Sequence, residues 1–507
     1  MFCKTMAIHL LCYAILIVCE QKIIDISQDK NYQQLVIFCG ILIITMLFAR
    51  VFNLITNLVS NKIKMLYKNY LRQQIAKKII WEYAQDKNFI PSVSWLSADV
   101  EQIENSYLNE ILEFIYNFTW VIIGVGFLAA YSWILFLATI IITIIIFIVS
   151  SLFQKMINKS TIAISEQNKV FLSKITDLIN GFSLFWQNLM LFKFIRKNNE
   201  ESELIENKIK KNSFNQVLQS EAIYSVSTIS SVMILIFCGW LLYKGNITAG
   251  SVIAITQFSA TFTYDSQATF RGLFHLIAGK KIANKFKLEQ QYITNKPLKL
   301  SFQKLQLKNF ALTIEGIELL KNLRFEIKNN QKILIIGHSG CGKTTFLKSL
   351  VKINQNYDGD ILLNNKNYHS LSDETLYNSI YYSEQFPHLF EDTILNNITL
   401  WNEEVNELKI KNILDKLNFH PEYNLQSQII NLSGGEKQKI LLAQAINTNR
   451  DILIFDEPTS SLDVRNTGTI LEYLLSIDKT VIIVSHKLDD KLINEFDQII
   501  DFNHLKI

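Results

Sequence analysis

The first 280 residues contain several apolar segments that are each long enough to cross a membrane as a helix. A helix needs roughly 20 mainly apolar residues to span a bilayer. The mean hydropathy of the 507-residue chain is +0.16, which is unusual for a soluble enzyme. The first segment resembles a signal peptide in length, but no small-residue cleavage site follows it, and more spans do. The sequence predicts six spans, at Phe2–Val18, Leu35–Leu54, Ile111–Tyr131, Trp133–Phe153, Ile223–Tyr243 and Val252–Leu273.

The charged residues between the spans predict the orientation, because Lys and Arg gather on the cytoplasmic side of membrane proteins. The segments after the second and fourth spans are rich in them, whereas the other connections are short and carry few. We therefore expect both termini in the cytoplasm and the protein in the plasma or inner membrane. The basic residues are Lys62, Lys64, Lys68, Arg72, Lys77, Lys78 and Lys87, then Lys155, Lys159, Lys169, Lys174, Lys193, Arg196, Lys197, Lys208, Lys210 and Lys211.

These two basic segments, about 60 and 70 residues long, keep the helical spacing of apolar residues. They contain one proline, Pro91, and no proline falls within a predicted span. Since no proline ring removes an internal hydrogen bond, we expect helices that run straight out of the bilayer.

A glycine-rich loop follows an apolar strand in the second half of the chain. Gly337–Thr344 matches the pattern G-x-x-x-x-G-K-[ST] in full, directly after the predicted strand Lys332–Ile336. The backbone amides of such a loop and the N-terminus of the following helix bind phosphate oxygens. Lys343 then provides a cation for the outer phosphates, and the Thr344 hydroxyl provides a ligand for Mg²⁺. The loop predicts that the chain binds ATP with Mg²⁺.

Further motifs follow this loop in a specific order. Residues 432–436 have the sequence L-S-G-G-E, and a second apolar strand, Asp451–Phe455, ends at the acidic pair Asp456-Glu457. The order of phosphate loop, Gln385, LSGGE, acidic pair and His486 resembles the nucleotide-binding domain of ABC transporters. With the apolar half on the same chain, the whole resembles an exporter-type ABC half-transporter. Residues 94–103 are similar to the stretch after the first coupling helix of that family; a stalk without a coupling role is the alternative.

The resemblance implies a role for each motif. Asp456, at the end of its strand, helps to hold Mg²⁺, and Glu457 is the general base that polarises the attacking water. Gln385 reaches the metal and the water, His486 matches the switch histidine near the γ-phosphate, and Asp463 lies in the loop that crosses between subunits. The residues expected to be catalytic are Glu457, His486 and Gln385; those expected to bind nucleotide are Gly337, His338, Ser339, Gly340, Cys341, Gly342, Lys343, Thr344, Thr345, Ser433, Gly434, Gly435, Glu436 and Asp463; those expected to hold the metal are Thr344, Gln385 and Asp456.

The LSGGE segment also implies a dimer. In the family, Ser433 and the amides of Gly434 and Gly435 close over the γ-phosphate of ATP that is held by a second nucleotide-binding domain. One chain supplies one phosphate loop and one signature, so two chains are needed to build two sites. The second chain is another half-transporter, identical or different.

A few positions depart from the family pattern. Ile314 occupies the adenine-stacking position, where an aromatic is usual, and Phe310 from a shifted register is the alternative. Residues 426–430 (QSQII) lack the Gly-Glu-x-Gly pattern that precedes the signature in exporters. Gln444 replaces a common arginine, and Glu436 stands where many exporters have Gln. The catalytic residues are complete, so we expect hydrolysis.

Polar residues recur on one face of the sixth predicted span. Gln257, Thr261 and Asp265 are four positions apart, with Phe258 and Phe262 beside them. A carboxylate inside a span is costly and usually faces a partner or a water-filled cavity. Contact with the substrate is one interpretation; the alternatives are a pair with Arg271 or a place near the cytoplasmic end of the helix.

The predicted architecture has an all-α six-helix transmembrane domain (1–285), a connector (286–300) and an α/β P-loop ABC ATPase domain (301–507). The net charge of +4 is too small to indicate nucleic acid, and the six cysteines lack metal-site spacing and predict no disulfide framework. The expected partners are a second chain, the lipid bilayer and a transported peptide, lipid or hydrophobic small molecule. A nucleotide-gated channel or regulator, and a heterodimer subunit with a mainly structural site, are the alternatives. The early first span leaves no room for a peptidase domain, which disfavours a peptide-processing exporter, and the absence of a proline-broken span disfavours import.

Overall fold

The computed structural model describes residues 1–507 except 88, 286–299, 315–316, 386, 421, 461, 463, 486–489 and 504–507. The chain divides into two compact units. The helical unit comprises Met1–Trp81 and Pro91–Gln291, and the sheet unit comprises Glu82–Ile90 and Tyr292–Ile507. The predicted connector at 286–300 lies outside the described residues, apart from Leu300.

Long helices dominate the first part of the chain, and the predicted all-α class is confirmed there. Among the described residues, five helices are long and apolar enough to cross a membrane, and the sixth predicted span lies within another long helix, α8. Three helices exceed 45 residues without a break, as predicted from the lack of proline; at ~1.5 Å per residue they are more than twice as long as the ~30 Å bilayer core. The helices are α1 Phe2–Gln28, α2 Tyr32–Gln85, α3 Ala98–Ile103, α4 Asn109–Tyr131, α5 Trp133–Asn180, α6 Phe182–Gln187, α7 Leu191–Tyr243 and α8 Ala249–Lys285, with a π-helical turn at Glu104–Leu108.

Local residues explain where these helices end. Ser132 is extended between α4 and α5, and its hydroxyl accepts a hydrogen bond from the Ile134 amide, which caps α5. Gly245 has φ of 74° in the turn between α7 and α8, a conformation that favours glycine. Both turns lie where the sequence predicted short connections.

A carboxylate from α1 caps the start of α8. Asp25 accepts hydrogen bonds from the Gly250 amide and from the Thr248 hydroxyl, both at 2.9 Å. A Cβ on Gly250 would overlap the Gln21 carbonyl oxygen and lie 2.6 Å from Asp25 Oδ1. Only glycine therefore allows α1 to approach α8 this closely.

Aromatic side chains form the centre of the helical unit, where α4 packs along α8. Phe258 is fully buried and stacks on Phe127 and Trp120, with ring centroids 3.7 and 5.9 Å apart. Gly124 of α4 faces the Phe262 ring, which a Cβ would contact at 3.4 Å. The apolar residues beside the polar face of α8 are thus core residues of this unit.

Two sheets and seven helices occupy the described part of the sheet unit, which confirms the predicted α/β class. The antiparallel sheet has the order β2-β1-β4-β5, and the parallel sheet has the order β6-β7-β8-β3-β9. The strands are β1 Lys304–Ile314, β2 Ile317–Lys328, β3 Lys332–Ile336, β4 Asp358–Leu363, β5 Lys366–Asn367, β6 Ile380–Ser383, β7 Ile452–Asp456, β8 Thr480–Val484 and β9 Gln498–Asp501. The helices are α9 Lys343–Leu350, α10 Asp373–Ser379, α11 Ile394–Thr399, α12 Glu407–Lys416, α13 Gly434–Asn447, α14 Val464–Ser476 and α15 Asp490–Ile493.

The parallel sheet is the core of this unit. β7 and β8 are buried along their whole length, which explains their continuous apolar sequences. In the parallel register, Asp456 at the end of β7 pairs with Val484 at the end of β8. Residues that follow β3, β6, β7 and β8 therefore emerge at one edge of the sheet.

Candidate functional site

The glycine-rich loop connects β3 to α9, as predicted. Gly337 and Gly342 have φ of 156° and 97°. A Cβ on Gly337 would lie 2.8 Å from both Cys341 Sγ and Phe502 Cβ, and one on Gly342 would lie 2.8 Å from Leu319 Cδ1. Both glycines are required by their backbone conformation and by their close neighbours.

Lys343 lies inside this loop. Its ammonium donates hydrogen bonds to the carbonyl oxygens of Gly337 and His338, both at 2.8 Å, and the residue is 6% exposed. Thr345 follows in the first turn of α9, where its carbonyl accepts a hydrogen bond from the Ser349 hydroxyl. A buried cation surrounded by loop backbone at a helix N-terminus is suited to binding phosphate oxygens.

Two of the predicted metal ligands are in direct contact. The Thr344 hydroxyl donates a 2.6 Å hydrogen bond to Asp456 Oδ2. Asp456 is buried, and burial raises the pKa of its carboxyl; the Thr344 hydrogen bond opposes this, whereas the charge of Glu457 adds to it. A hydroxyl and a carboxylate are oxygen ligands of the kind that Mg²⁺ prefers, so the residues present fit that ion.

The predicted base and the predicted glutamine also meet. Gln385, just after β6, donates through Nε2 to Glu457 Oε2 at 2.9 Å. Glu457 has φ of 53°, in the left-handed region, which costs a non-glycine residue about 1–2 kcal/mol. Such conformations persist where the surrounding structure enforces them, often at functional sites.

A cavity of about 640 Å³ unites several of these groups in the sheet unit. Its lining includes Gly337, His338, Ser339, Gln385, Glu457 and Ser485. The phosphate loop, the glutamine and the acidic pair thus meet at the edge of the parallel sheet, at the carboxyl ends of its strands.

The signature residues occupy a different element. Ser433 caps α13 by accepting a hydrogen bond from the Glu436 amide at 3.2 Å, and Gly434, with Gly435 after it, begins the helix. Glu436 pairs with Lys439 at 3.0 Å. Among the described residues that line the cavity, none belongs to this segment. The roles predicted for His486 and Asp463 fall on residues outside the described part of the chain.

The structure corrects one alternative for adenine stacking. Phe310 is fully buried, with the rings of Phe346 and Tyr357 at 5.5 and 5.2 Å. Its ring belongs to the hydrophobic core and offers no face to a base, so the alternative in which Phe310 stacks on adenine is wrong. The side chain of Ile314 is outside the described part of the structure.

The structure shows what two other departures from the family pattern do, Gln444 and the segment before the signature. Gln444 accepts from the Tyr381 hydroxyl at 2.8 Å and donates to the Asn397 carbonyl at 2.9 Å, so it joins β6 to α11. The segment before the signature is held to the start of α11 by backbone hydrogen bonds, including Ile394 N to Ser427 O at 3.0 Å. Backbone contacts of this kind depend little on side-chain identity.

One residue at the site was missed by the sequence analysis. Asn503, just after β9, lines the cavity and accepts a 2.9 Å hydrogen bond from the His338 amide through Oδ1. It therefore holds the phosphate loop from the neighbouring strand. The only signal in the sequence is that a polar residue follows an apolar strand, and no motif singled it out.

Comparisons with known proteins show the family and the fold of the chain. A family model described as ABC transporter transmembrane region matches residues 3–265, and one described as ABC transporter matches residues 320–460. The lactococcin transport/processing ATP-binding protein LcnC-like of Lactococcus lactis is 26% identical over 83% of this chain and 62% of its own length. The transport/processing ATP-binding protein ComA of Streptococcus pneumoniae is 27% identical over 69% of this chain and 51% of its own length. The chain thus spans less than two thirds of these relatives.

A solved structure shares the fold. A bacterial Atm1-family ABC exporter with ATP bound superimposes with a TM-score of 0.82, covering 98% of this chain and 92% of that one at 17% identity. At this identity, the likeness concerns the fold alone.

Proposed function

Because the chain belongs to the ABC transporter family, we propose that it is one half of an ATP-driven exporter that works as a dimer. The observation that carries this proposal is the pairing of Thr344 with Asp456 and of Gln385 with Glu457 beside one cavity. The same chain carries several helices suited to a membrane. A nucleotide engine and a membrane domain on one chain support coupling of hydrolysis to transport.

In the proposed reaction, the loop amides and the Lys343 ammonium bind the phosphate oxygens of ATP. Glu457 accepts the proton of the attacking water, and Gln385, which donates to Glu457, orients that carboxylate. The water oxygen bonds to the γ-phosphorus while the bond between that phosphorus and the bridging oxygen breaks, and ADP and phosphate leave. Thr344, Asp456 and Gln385 would hold Mg²⁺, which neutralises charge on the phosphate oxygens. The roles implied for His486 and Asp463 are part of the same proposal.

A second chain completes each site in this proposal. The described residues that line the cavity do not include the signature residues Ser433, Gly434 and Gly435. Gly434 is exposed at the start of α13. An exposed helix N-terminus that begins with two glycines is suited to the γ-phosphate of ATP on another copy. Closure of two copies around ATP would then change the conformation of the membrane helices, which is how alternating access works.

The placement in the membrane follows from the charges. In the first half of the chain, most Lys and Arg residues lie in the segments after the second and fourth predicted spans, which supports cytoplasmic termini and a multi-pass protein of the inner or plasma membrane. One relative is named for lactococcin transport, and this supports a peptide among the substrate classes considered above.

The test is ATP hydrolysis by the purified chain in lipid nanodiscs, with Glu457→Gln as the matched variant. Wild type should release phosphate in a Mg²⁺-dependent manner, and the variant should bind ATP but hydrolyse it at least about a hundredfold more slowly, since it lacks the general base. Folded wild-type protein that binds ATP without turnover would refute a self-sufficient exporter and indicate a different partner subunit.

A further inference from the structure

A second cavity, of about 650 Å³, lies within the helical unit among α1, α4 and α8. Its lining combines aromatic rings, two carboxylates and one guanidinium group, from Tyr13, Tyr116, Trp120, Glu113, Asp265 and Arg271. Two of these rings are in contact, since Tyr13 packs edge-on against Trp120 with ring centroids 5.8 Å apart. Aromatic faces and carboxylates both attract cations, and rings also pack against apolar groups.

Asp265 is the unusual member of this lining. It is only 6% exposed, and the Thr269 hydroxyl donates to its backbone carbonyl at 2.7 Å, while no ion pair or hydrogen bond to its carboxylate is found in the described part of the chain. Arg271 lines the same cavity, but the predicted alternative of an ion pair between Asp265 and Arg271 is not found among the ion pairs of the described residues. A buried carboxylate without a partner is costly, and within a membrane span such a group usually marks a substrate or ion pathway.

Two other carboxylates in the same unit, those of Glu20 and Asp25, accept hydrogen bonds. Glu20 accepts from Gln257 Nε2 at 2.8 Å, and Asp25 accepts from the Gly250 amide. Glu20 and Gln257 line an adjoining cavity of about 410 Å³, which shares Thr261 with the first one. The predicted polar face of α8 thus runs along both cavities, and Asp265 is the carboxylic acid on that face.

We propose that the larger cavity binds the cationic group of the transported molecule, which is an organic cation with an apolar body. Asp265 supplies the opposite charge, Glu113 adds a second carboxylate, and the rings of Tyr13, Tyr116 and Trp120 pack against the apolar part. A basic peptide side chain and a small hydrophobic amine share this chemistry. The inference rests on the export function proposed above and names the substrate class for it.

The test uses two probe ions of the same shape and opposite charge, tetraphenylphosphonium and tetraphenylborate. Their equilibrium binding is measured on the full chain in nanodiscs, after subtraction of binding to empty nanodiscs. The cation should bind saturably and the anion should not. Asp265→Asn should weaken cation binding at least about tenfold, and Asp265→Glu should restore most of it. The matched control Glu20→Gln should stay within about twofold, because Glu20 lines the adjoining cavity, where Gln257 holds its carboxylate, and not the cavity of Asp265.

Equal binding of the two ions, or unchanged cation binding by a folded Asp265→Asn variant, would overturn the proposal. If size-exclusion chromatography shows that this variant does not fold, Glu113→Gln takes its place. That substitution should weaken binding of the cation but not of the anion, and an unchanged affinity would overturn the proposal equally.

ATP hydrolysis measured in the same nanodiscs separates this inference from the proposed function. Charge-selective binding that depends on Asp265, without turnover that depends on Glu457, would keep the cation site and overturn a self-sufficient exporter. Turnover without charge-selective binding would keep the exporter and overturn the cation site.

Competition identifies the source of the cation. A heptapeptide with a single lysine and its norleucine analogue are tested for displacement of tetraphenylphosphonium. Displacement by the lysine peptide alone supports a peptide substrate, and displacement by neither supports a small organic cation. Equal displacement by both would contradict recognition of charge.

Discussion

A charged triad attaches the segment Glu82–Ile90 to the rest of the sheet unit. Lys87 Nζ lies 2.6 Å from Asp373 Oδ2, and Lys352 Nζ lies 3.2 Å from Asp373 Oδ1. The side chains of Lys87, Lys352 and Asp373 are 7%, 16% and 22% exposed. Burial raises the pKa of Asp373, but the hydrogen bond and charge of Lys87 and the charge of Lys352 outweigh it and lower the pKa overall. The carboxylate therefore stays ionised between two cations.

The structure predicts that loss of the central carboxylate destabilises this triad more than loss of Lys87. Asp373→Asn leaves two poorly exposed ammonium groups without their counter-charge. Removing one partner of a buried pair costs about 3–5 kcal/mol and of an exposed pair up to about 1 kcal/mol, so we expect about 2–3 kcal/mol for this partly screened site. Lys87→Met keeps the pair of Lys352 with Asp373 and should cost only about 1 kcal/mol.

Hydrogen exchange of the 82–90 segment, read by mass spectrometry on the full chain in nanodiscs, measures this cost. With tenfold for each 1.4 kcal/mol, Asp373→Asn should speed exchange there roughly 30- to 140-fold and Lys87→Met about fivefold. Lys197→Met, which breaks an exposed pair with Glu200 in the helical unit, is the matched control and should leave this segment unchanged. Equal effects of the first two variants, or the reverse order, would refute the reasoning.

Three further predictions concern other parts of the molecule. Gly250→Ala should destabilise the packing of α1 on α8 by about 1–3 kcal/mol, since its Cβ would overlap the Gln21 carbonyl oxygen; thermal unfolding in nanodiscs measures this, and an unchanged midpoint would contradict it. Asp456→Asn should lower Mg²⁺-dependent ATP hydrolysis at least about a hundredfold. Without nucleotide, Asp456→Asn should not lower the midpoint of thermal unfolding. Burial disfavours the charged carboxylate and raises the pKa of Asp456, and the neutral amide avoids this cost of burying a charge. A clear fall in the midpoint would contradict this prediction. Burial lowers the pKa of Lys479 from the ordinary 10.5 to about 8. Between these two pH values the folded state has lost the Lys479 proton while the unfolded state still binds it, so the stability of wild type relative to Lys479→Met should rise from pH 8 towards pH 10. Hydrogen exchange of β8 measures this, and a stability difference that does not change with pH would contradict it.

Motifs with local chemistry could be predicted from the sequence. The phosphate loop between β3 and α9, and the acidic pair after β7, lie where strand, glycine and charge patterns placed them. Helix breaks at Ser132 and Gly245 likewise follow from residues at the turn itself. In each of these cases the physical cause lies within a few residues of the feature.

Contacts between distant segments could not be predicted in the same way. The exclusion of Phe310 from the nucleotide site depends on its packing against Phe346 and Tyr357, and Asn503 reaches the phosphate loop only because β9 lies beside β3. The pair of Lys87 with Asp373 joins residues almost 300 positions apart. Charge or hydropathy at one position does not encode such neighbours; the packing of the whole unit decides them.

The claim that each nucleotide site is shared by two copies is central to this account. Cross-linking tests it, with Ser339→Cys on one tagged chain, Ser433→Cys on a differently tagged chain, and Glu457→Gln in both to retain ATP. Mixtures in which only one of the two tagged chains carries an added cysteine control for cross-links through the native cysteines, of which Cys341 is buried. The account predicts a cross-link between chains that forms with ATP and Mg²⁺ and is lost without nucleotide. Folded chains that bind ATP but form no such cross-link would contradict it.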